Sequence, residues 1–190
     1  LALLVGGLLA ALIAFLIGWP VLRLRGDYLA IATLGFSEII RIVITNAQSW
    51  TNGALGIKDI PALNDVRYIF IATAITFLFV TCLINSSYGR AFKAIREDEI
   101  AAEAMGVGLF KHKCMAFMLS AFFAGIGGGL YATLLGTVDP KNFLFTLTYN
   151  FLLIIVLGGM GSITGSMLGS IIVTAGLEYL RVFDEPLELF

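Results

Sequence analysis

The first 19 residues, LALLVGGLLAALIAFLIGW, contain no charged side chain. Lipid offers no hydrogen-bond partner to bare backbone, so only a helix or a closed barrel can cross a bilayer, and a core about 30 Å thick takes roughly 20 helical residues. A run of this length and character is a spanning helix. It lacks the basic stretch that precedes the apolar core of a cleavable signal. Further apolar runs at 28–46, 67–84, 114–136, 143–158 and 164–181 bring the expected spans to about six. With 13% charged residues and a mean hydropathy of +0.95, the chain reads as an all-α, polytopic membrane protein. Residues 1–181 form one membrane domain, and 182–190 a tail. The chain opens on Leu1 rather than Met, which leads to the expectation that it is a piece of a longer protein.

Several function classes fall away on composition. A net charge of -1, with no basic stripe, does not fit nucleic-acid binding. Cys82 and Cys114 lie in or beside apolar runs without C-x-x-C spacing, and His112 is the one histidine, so neither a metal site nor a disulfide is expected. Both cysteines read as small buried hydrophobes. No Walker A lysine follows a glycine-rich loop anywhere, so no nucleotide cofactor is expected on this chain.

Cytoplasmic connections are enriched in Lys and Arg. If residues 85–113 are inside, alternation puts Arg23, Arg25, Arg90, Lys93, Arg96, Lys111 and Lys113 on that side. It leaves Lys58, Arg67, Lys141 and Arg181 on the other. Residues 89–113, GRAFKAIREDEIAAEAMGVGLFKHK, hold nine charged residues in an otherwise apolar chain. Within them 90–105 predicts one short helix, rich in alanine, free of proline and closed by Gly106 and Gly108. Too polar to span, it belongs at the cytoplasmic surface. Two readings follow: an interfacial helix with Arg90, Lys93 and Arg96 at anionic headgroups, or a docking surface for a protein. Four acids at Glu97, Asp98, Glu99 and Glu103 favour the second, since an anionic leaflet repels them.

Inside the expected spans, Glu38 lies ten residues into the second, about 15 Å deep at 1.5 Å per residue. Arg41 is one helical step further on the same face, positioned to pair with it, and Thr45 continues that face. The face either lines a translocation path or packs helices. Small residues at 121, 125, 128 and 132 predict a close helix–helix contact. The run GGMGSITG, residues 158–165, carries Gly159, Gly161 and Ser162. It is either a tight turn or a helix break whose N-terminus meets an anionic group such as a substrate carboxylate.

The charged loop resembles the EAA loop of ABC-importer permeases. More closely, GRAFKAIREDEIAAEAMGVG, RLRGDYLAIATLGFSEIIRIV (23–43) and VLGGMGSITGSMLGS (156–170) resemble the M-type permeases of branched-chain amino-acid ABC transporters. That resemblance implies that the short helix is a coupling helix inserted into a cytoplasmic ATPase. Anchored on Gly106, the family's Glu-Ala-Ala positions fall on Ile100, Ala101 and Ala102; the glutamate is Ile here, flanked by Glu99 and Glu103. The docking role is therefore carried by Ala101, Ala102 and Gly106, with Arg96, Glu99 and Glu103 as further candidates. The resemblance also implies a plasma-membrane permease subunit that does not itself hydrolyse ATP. Its partners would be ABC ATP-binding subunits, a second permease subunit, an extracytoplasmic solute-binding protein and membrane lipids. Permeases of this family are longer, so the chain is expected to be incomplete at both ends. Rival readings are a permease for urea, amides or other amino acids, an ion-coupled secondary transporter using Glu38, and a membrane scaffold.

Overall fold

The structure is a computed structural model that describes residues 2–24, 26–48, 52–61, 67–143 and 145–184. Those residues are helical apart from short connections. The helices are α1 (Ala2–Val21), α2 (Asp27–Asn46), α3 (Arg67–Asn85), α4 (Ser87–Glu97), α5 (Glu99–Ala104), α6 (Leu109–Leu135), α7 (Phe145–Gly158) and α8 (Ile163–Asp184). Five of them, α1, α2, α3, α6 and α8, are long and apolar enough to cross a membrane. The fifth expected span, 143–158, is the helix α7, but its 14 residues reach only about 21 Å. A 3-10 turn at Pro140–Phe143 takes Phe143, the first residue expected in it. Of the tail, Val182 to Asp184 extend α8, and 185–190 lie outside the described residues, as does Arg25.

The chain divides into two compact units, residues 1–141 and 142–190. In the first, α1 packs along α6. A Cβ added to Gly125 would lie 2.8 Å from Ala10 Cβ and 3.0 Å from Gly7 Cα, and one added to Gly7 would lie 3.0 Å from the Phe122 ring. Close backbone approach of this kind is how helices associate where lipid removes the hydrophobic drive. The seam differs from the expected stripe: Gly128 faces open space, while a Cβ added to Gly129 would lie 2.6 Å from Leu3 Cδ2. Phe122 enters the notch at Gly7 and sets the contact line through 122, 125 and 129. None of the described side chains of α2 or α3 is buried. Their exposed faces, Ile31 and Phe70 among them, suit contact with lipid, which is as apolar as they are. Cys114 is buried as expected; Cys82, on bare α3, is exposed instead.

The first unit has two distinct ends. At one, Ile57 and Val138 pair as an antiparallel bridge, each N–H donating to the other's carbonyl at 2.9 Å, with Ile60 N–H donating to Gly136 O at 3.0 Å. Gly56, at φ +68°, permits this approach, since a Cβ there would overlap the Val138 carbonyl oxygen. At the other end the Arg23 guanidinium lies 5.7 Å from the Trp19 ring and 5.8 Å from that of Phe110, beside the start of α6. The 20–24 connection therefore shares its end with the charged loop, and the Lys58 connection shares the opposite end with 136–139, the grouping that alternation requires.

In the second unit, α7 and α8 form a tight hairpin. A Cβ on Gly165 would overlap the Gly158 carbonyl oxygen, and one on Gly169 would lie 2.9 Å from Ile154 O. Gly159 (φ +87°) and Gly161 (φ +94°) turn the chain in the left-handed region.

Candidate functional site

The charged loop is two helices, where the sequence predicted one over 90–105. Asp98 is extended (φ −154°, ψ 113°), and its carboxylate accepts hydrogen bonds from the N–H groups of Ile100 (2.8 Å) and Ala101 (3.1 Å). Aspartate satisfies the orphan donors of a helix start well, so α4 stops and α5 restarts at this residue. The expected stop at glycine is present. Gly106 sits at φ +84°, its N–H donates to Glu103 O (2.9 Å), and the Val107 N–H reaches back to Ala102 O (3.0 Å), a Schellman closure.

Helix α4 begins with Ser86 Oγ accepting from the Gly89 N–H at 3.4 Å. Gly89 is required where α3 meets α4, because a Cβ would overlap the Ile84 carbonyl. The amphipathic α4 then buries Ile95, while Phe92 and Tyr88 pack about the His112 ring with centroids 6.2 and 6.4 Å away. His112 Nδ1 lies 2.8 Å from Gly108 O.

The candidate docking residues do not share one face. Ala101 and Gly106 are exposed, and Ile100 and Met105 beside them are 77% and 84% exposed. Ala102 is only 4% exposed and turns inward, so it packs α5 onto the chain instead of facing outward. Glu99 lies on that inner side as well: Lys113 Nζ donates to Glu99 Oε1 at 2.6 Å. Glu103 is exposed, and exposed Arg96 pairs with Glu97 at 2.5 Å. Solvated pairs like the latter contribute little. The exposed side of α5 thus carries Ile100, Ala101 and Glu103, with Ile100 where the family pattern has glutamate. Residues 14 apart give no periodic signal, so the Glu99–Lys113 pair was not legible; the Asp98 cap was missed by the expectation of one helix over 90–105, although an aspartate just before an alanine run ending in glycine is a local signal for it.

Two cavities flank this pair. One of ≈ 600 Å³ is lined by Phe92, Ile95, Asp98 and His112, together with Glu99 and Lys113. The other, ≈ 530 Å³, is lined by Arg23, Glu103, Phe110 and Lys111, again with Glu99 and Lys113.

The candidate path residues fall in different units. On α2, Arg41 Nε donates to both Glu38 carboxylate oxygens (3.1 and 3.0 Å) and Nη2 also bonds Oε1, so the expected pair is formed, with side chains 28% and 49% exposed. Thr45 does not join it, its hydroxyl donating to the Arg41 carbonyl at 2.8 Å. In the second unit, Gly159, Gly161 and Ser162 form the exposed turn of the α7–α8 hairpin, and Ser162 Oγ accepts the Gly165 N–H at 3.0 Å. Of the two readings of GGMGSITG, this geometry is the tight turn.

The model of the family described as "Branched-chain amino acid transport system / permease component" matches residues 1–189. The high-affinity branched-chain amino acid transport system permease protein LivM of Escherichia coli (strain K12) is 38% identical, the match covering 95% of this chain and 51% of that protein. LivM of Salmonella typhimurium is 37% identical over 94% of this chain and 50% of its own length. A probable branched-chain amino acid transport permease protein LivM of Methanocaldococcus jannaschii is 31% identical over 85% of this chain and 51% of its own. The chain spans about half the length of these relatives. No solved structure matches. A family match over nearly every residue, on a chain with five apolar helices that can span a bilayer, leaves one assignment: this multi-pass cell-membrane chain belongs to the branched-chain amino acid transport system permease component family.

Proposed function

We propose that the chain is part of a permease subunit of an ATP-driven importer that forms the translocation path for branched-chain amino acids. The charged loop faces the cytoplasm, and α5 docks on an ABC ATP-binding subunit that performs the hydrolysis. A second permease subunit and an extracytoplasmic solute-binding protein complete the transporter. The observation that carries this reading is the family match across residues 1–189, and the names of the three relatives support the substrate class. The free face of α5 supports the docking role. Ala101 and Ile100 on a six-residue helix, with Met105 at its C-cap, present apolar groups on an element fixed by caps at both ends, a shape suited to insertion into a groove. Ala102 serves that helix from beneath.

Glu38 and Arg41 are proposed as a paired face of α2 turned towards protein or water, since intramembrane ionisable groups avoid lipid. Gly159, Gly161 and Ser162 shape the hairpin turn.

Uptake of leucine into vesicles holding the assembled transporter tests the assignment. ATP-dependent uptake that persists when the proton gradient is collapsed is expected. Uptake that survives ATP depletion but is lost with the gradient would instead establish an ion-coupled transporter. Within the assembly, Ala101→Trp is expected to abolish co-purification of the ATPase with the amount of inserted permease unchanged, because an indole does not fit where a methyl group does. Normal co-purification would remove α5 from the interface.

A further inference from the structure

We propose that Glu99 and Lys113 are positioning residues, forming the strut through which displacement of α5 reaches the spanning helix α6. The inference rests on the docking role proposed for α5. It moves Glu99 from the partner's side of that interface to the permease's own interior.

Helix α5 is separated from both neighbours by non-helical backbone, at extended Asp98 and at left-handed Gly106. A push on α5 is therefore not passed along a continuous helix. Its inner side carries two groups, Glu99 and Ala102, three residues apart and on the same face. Ala102 supplies a single methyl group. Glu99 reaches further, to Lys113 in the second turn of the 27-residue α6, and the lysine is the more sheltered partner at 17% exposed against 40%. The cavities of ≈ 600 and ≈ 530 Å³ lie on either side, each lined by both residues. The ion pair, together with buried Ala102, sets the spacing between α5 and α6. The flanking space also leaves room for α5 to shift while the pair holds. Because α6 is the helix whose glycines seat α1, movement of its first turns also bears on the α1–α6 seam.

The test is the ratio of leucine transported to ATP hydrolysed by the assembled transporter in proteoliposomes, measured with the amount of ATPase that co-purifies. For Glu99→Gln we expect the ratio to fall about tenfold, the scale of a typical coupling between two sites, while association and ATP turnover persist. Lys113→Arg is expected to keep the ratio, and Glu99→Lys combined with Lys113→Glu to restore it. An unchanged ratio in Glu99→Gln would overturn the strut. So would loss of the ATPase from that variant, which would make Glu99 a docking contact, or loss of inserted protein, which would make the pair purely structural. Failure of both Lys113→Arg and the reversed pair to sustain coupling would overturn it too. Absence of ATP-driven uptake by the unmodified transporter is a different result, counting against the functional reading itself before any variant is compared.

Discussion

The protein holds two carboxylate–cation pairs that look alike chemically and do different structural work. Glu38 and Arg41 are one helical step apart on α2, bonded through both carboxylate oxygens, on a helix with no buried described side chain. Glu99 and Lys113 are 14 residues apart, on separate helices, and hold a six-residue element at a set distance from a 27-residue one. The first pair neutralises charge within a single apolar helix. The second fixes geometry between elements that the backbone alone leaves loosely related. A local pair restrains itself; a distant pair restrains the fold.

That contrast is broken most forcefully at Lys113. Lys113→Glu sets two carboxylates against each other and is expected to reduce leucine transport per ATP by at least the roughly tenfold expected of Glu99→Gln, since repulsion is added to the lost attraction. Removing the cap beside the pair should act less strongly. Asp98→Ala is expected to cost α5 about 1 kcal/mol, the usual value of an N-cap, and so to weaken ATPase association by about fivefold in a titration of purified components. At the local pair the expected signature is a split between readouts. Glu38→Gln keeps a hydrogen-bonding partner for Arg41, so the amount of inserted protein is expected to stay the same while uptake falls by a smaller factor than at Lys113. Equal uptake would make Glu38 a packing residue only. The smallest effect belongs to the exposed Arg96–Glu97 pair: Arg96→Ala is expected to change stability by less than about 0.5 kcal/mol and to leave coupling within error.

The same distinction separates what the sequence made legible from what it did not. Apolar length reports spans directly, so the helices over 2–21, 27–46 and 67–85 lie close to the runs expected at 1–19, 28–46 and 67–84. Gly106 as a helix stop and the Glu38–Arg41 pair were legible for the same reason, since caps and one-turn neighbours are local. The seam between α1 and α6 was legible only in part. Small residues mark a helix that can be approached, but which of Gly125, Gly128 and Gly129 is approached depends on where Phe122 and Leu3 land. Beyond reach were the links between distant segments: Lys113 with Glu99, His112 among Tyr88 and Phe92, and the bridge from Ile57 to Val138. No period or spacing in one chain encodes which loops meet. The split of the 90–105 helix was a different matter: the capping chemistry of Asp98 is local, and it outweighed the alanine-rich helical propensity from which one helix was expected.

A photoreactive side chain at Ile100, the outward apolar position on α5, reports directly whether an ATPase touches that helix. In cells expressing the whole transporter, illumination is expected to join residue 100 to the cytoplasmic ATP-binding subunit, and a membrane-impermeant reagent added outside is expected to leave it unlabelled. Labelling from outside, or illumination that yields no product with the ATPase while the transporter remains assembled, would contradict the account.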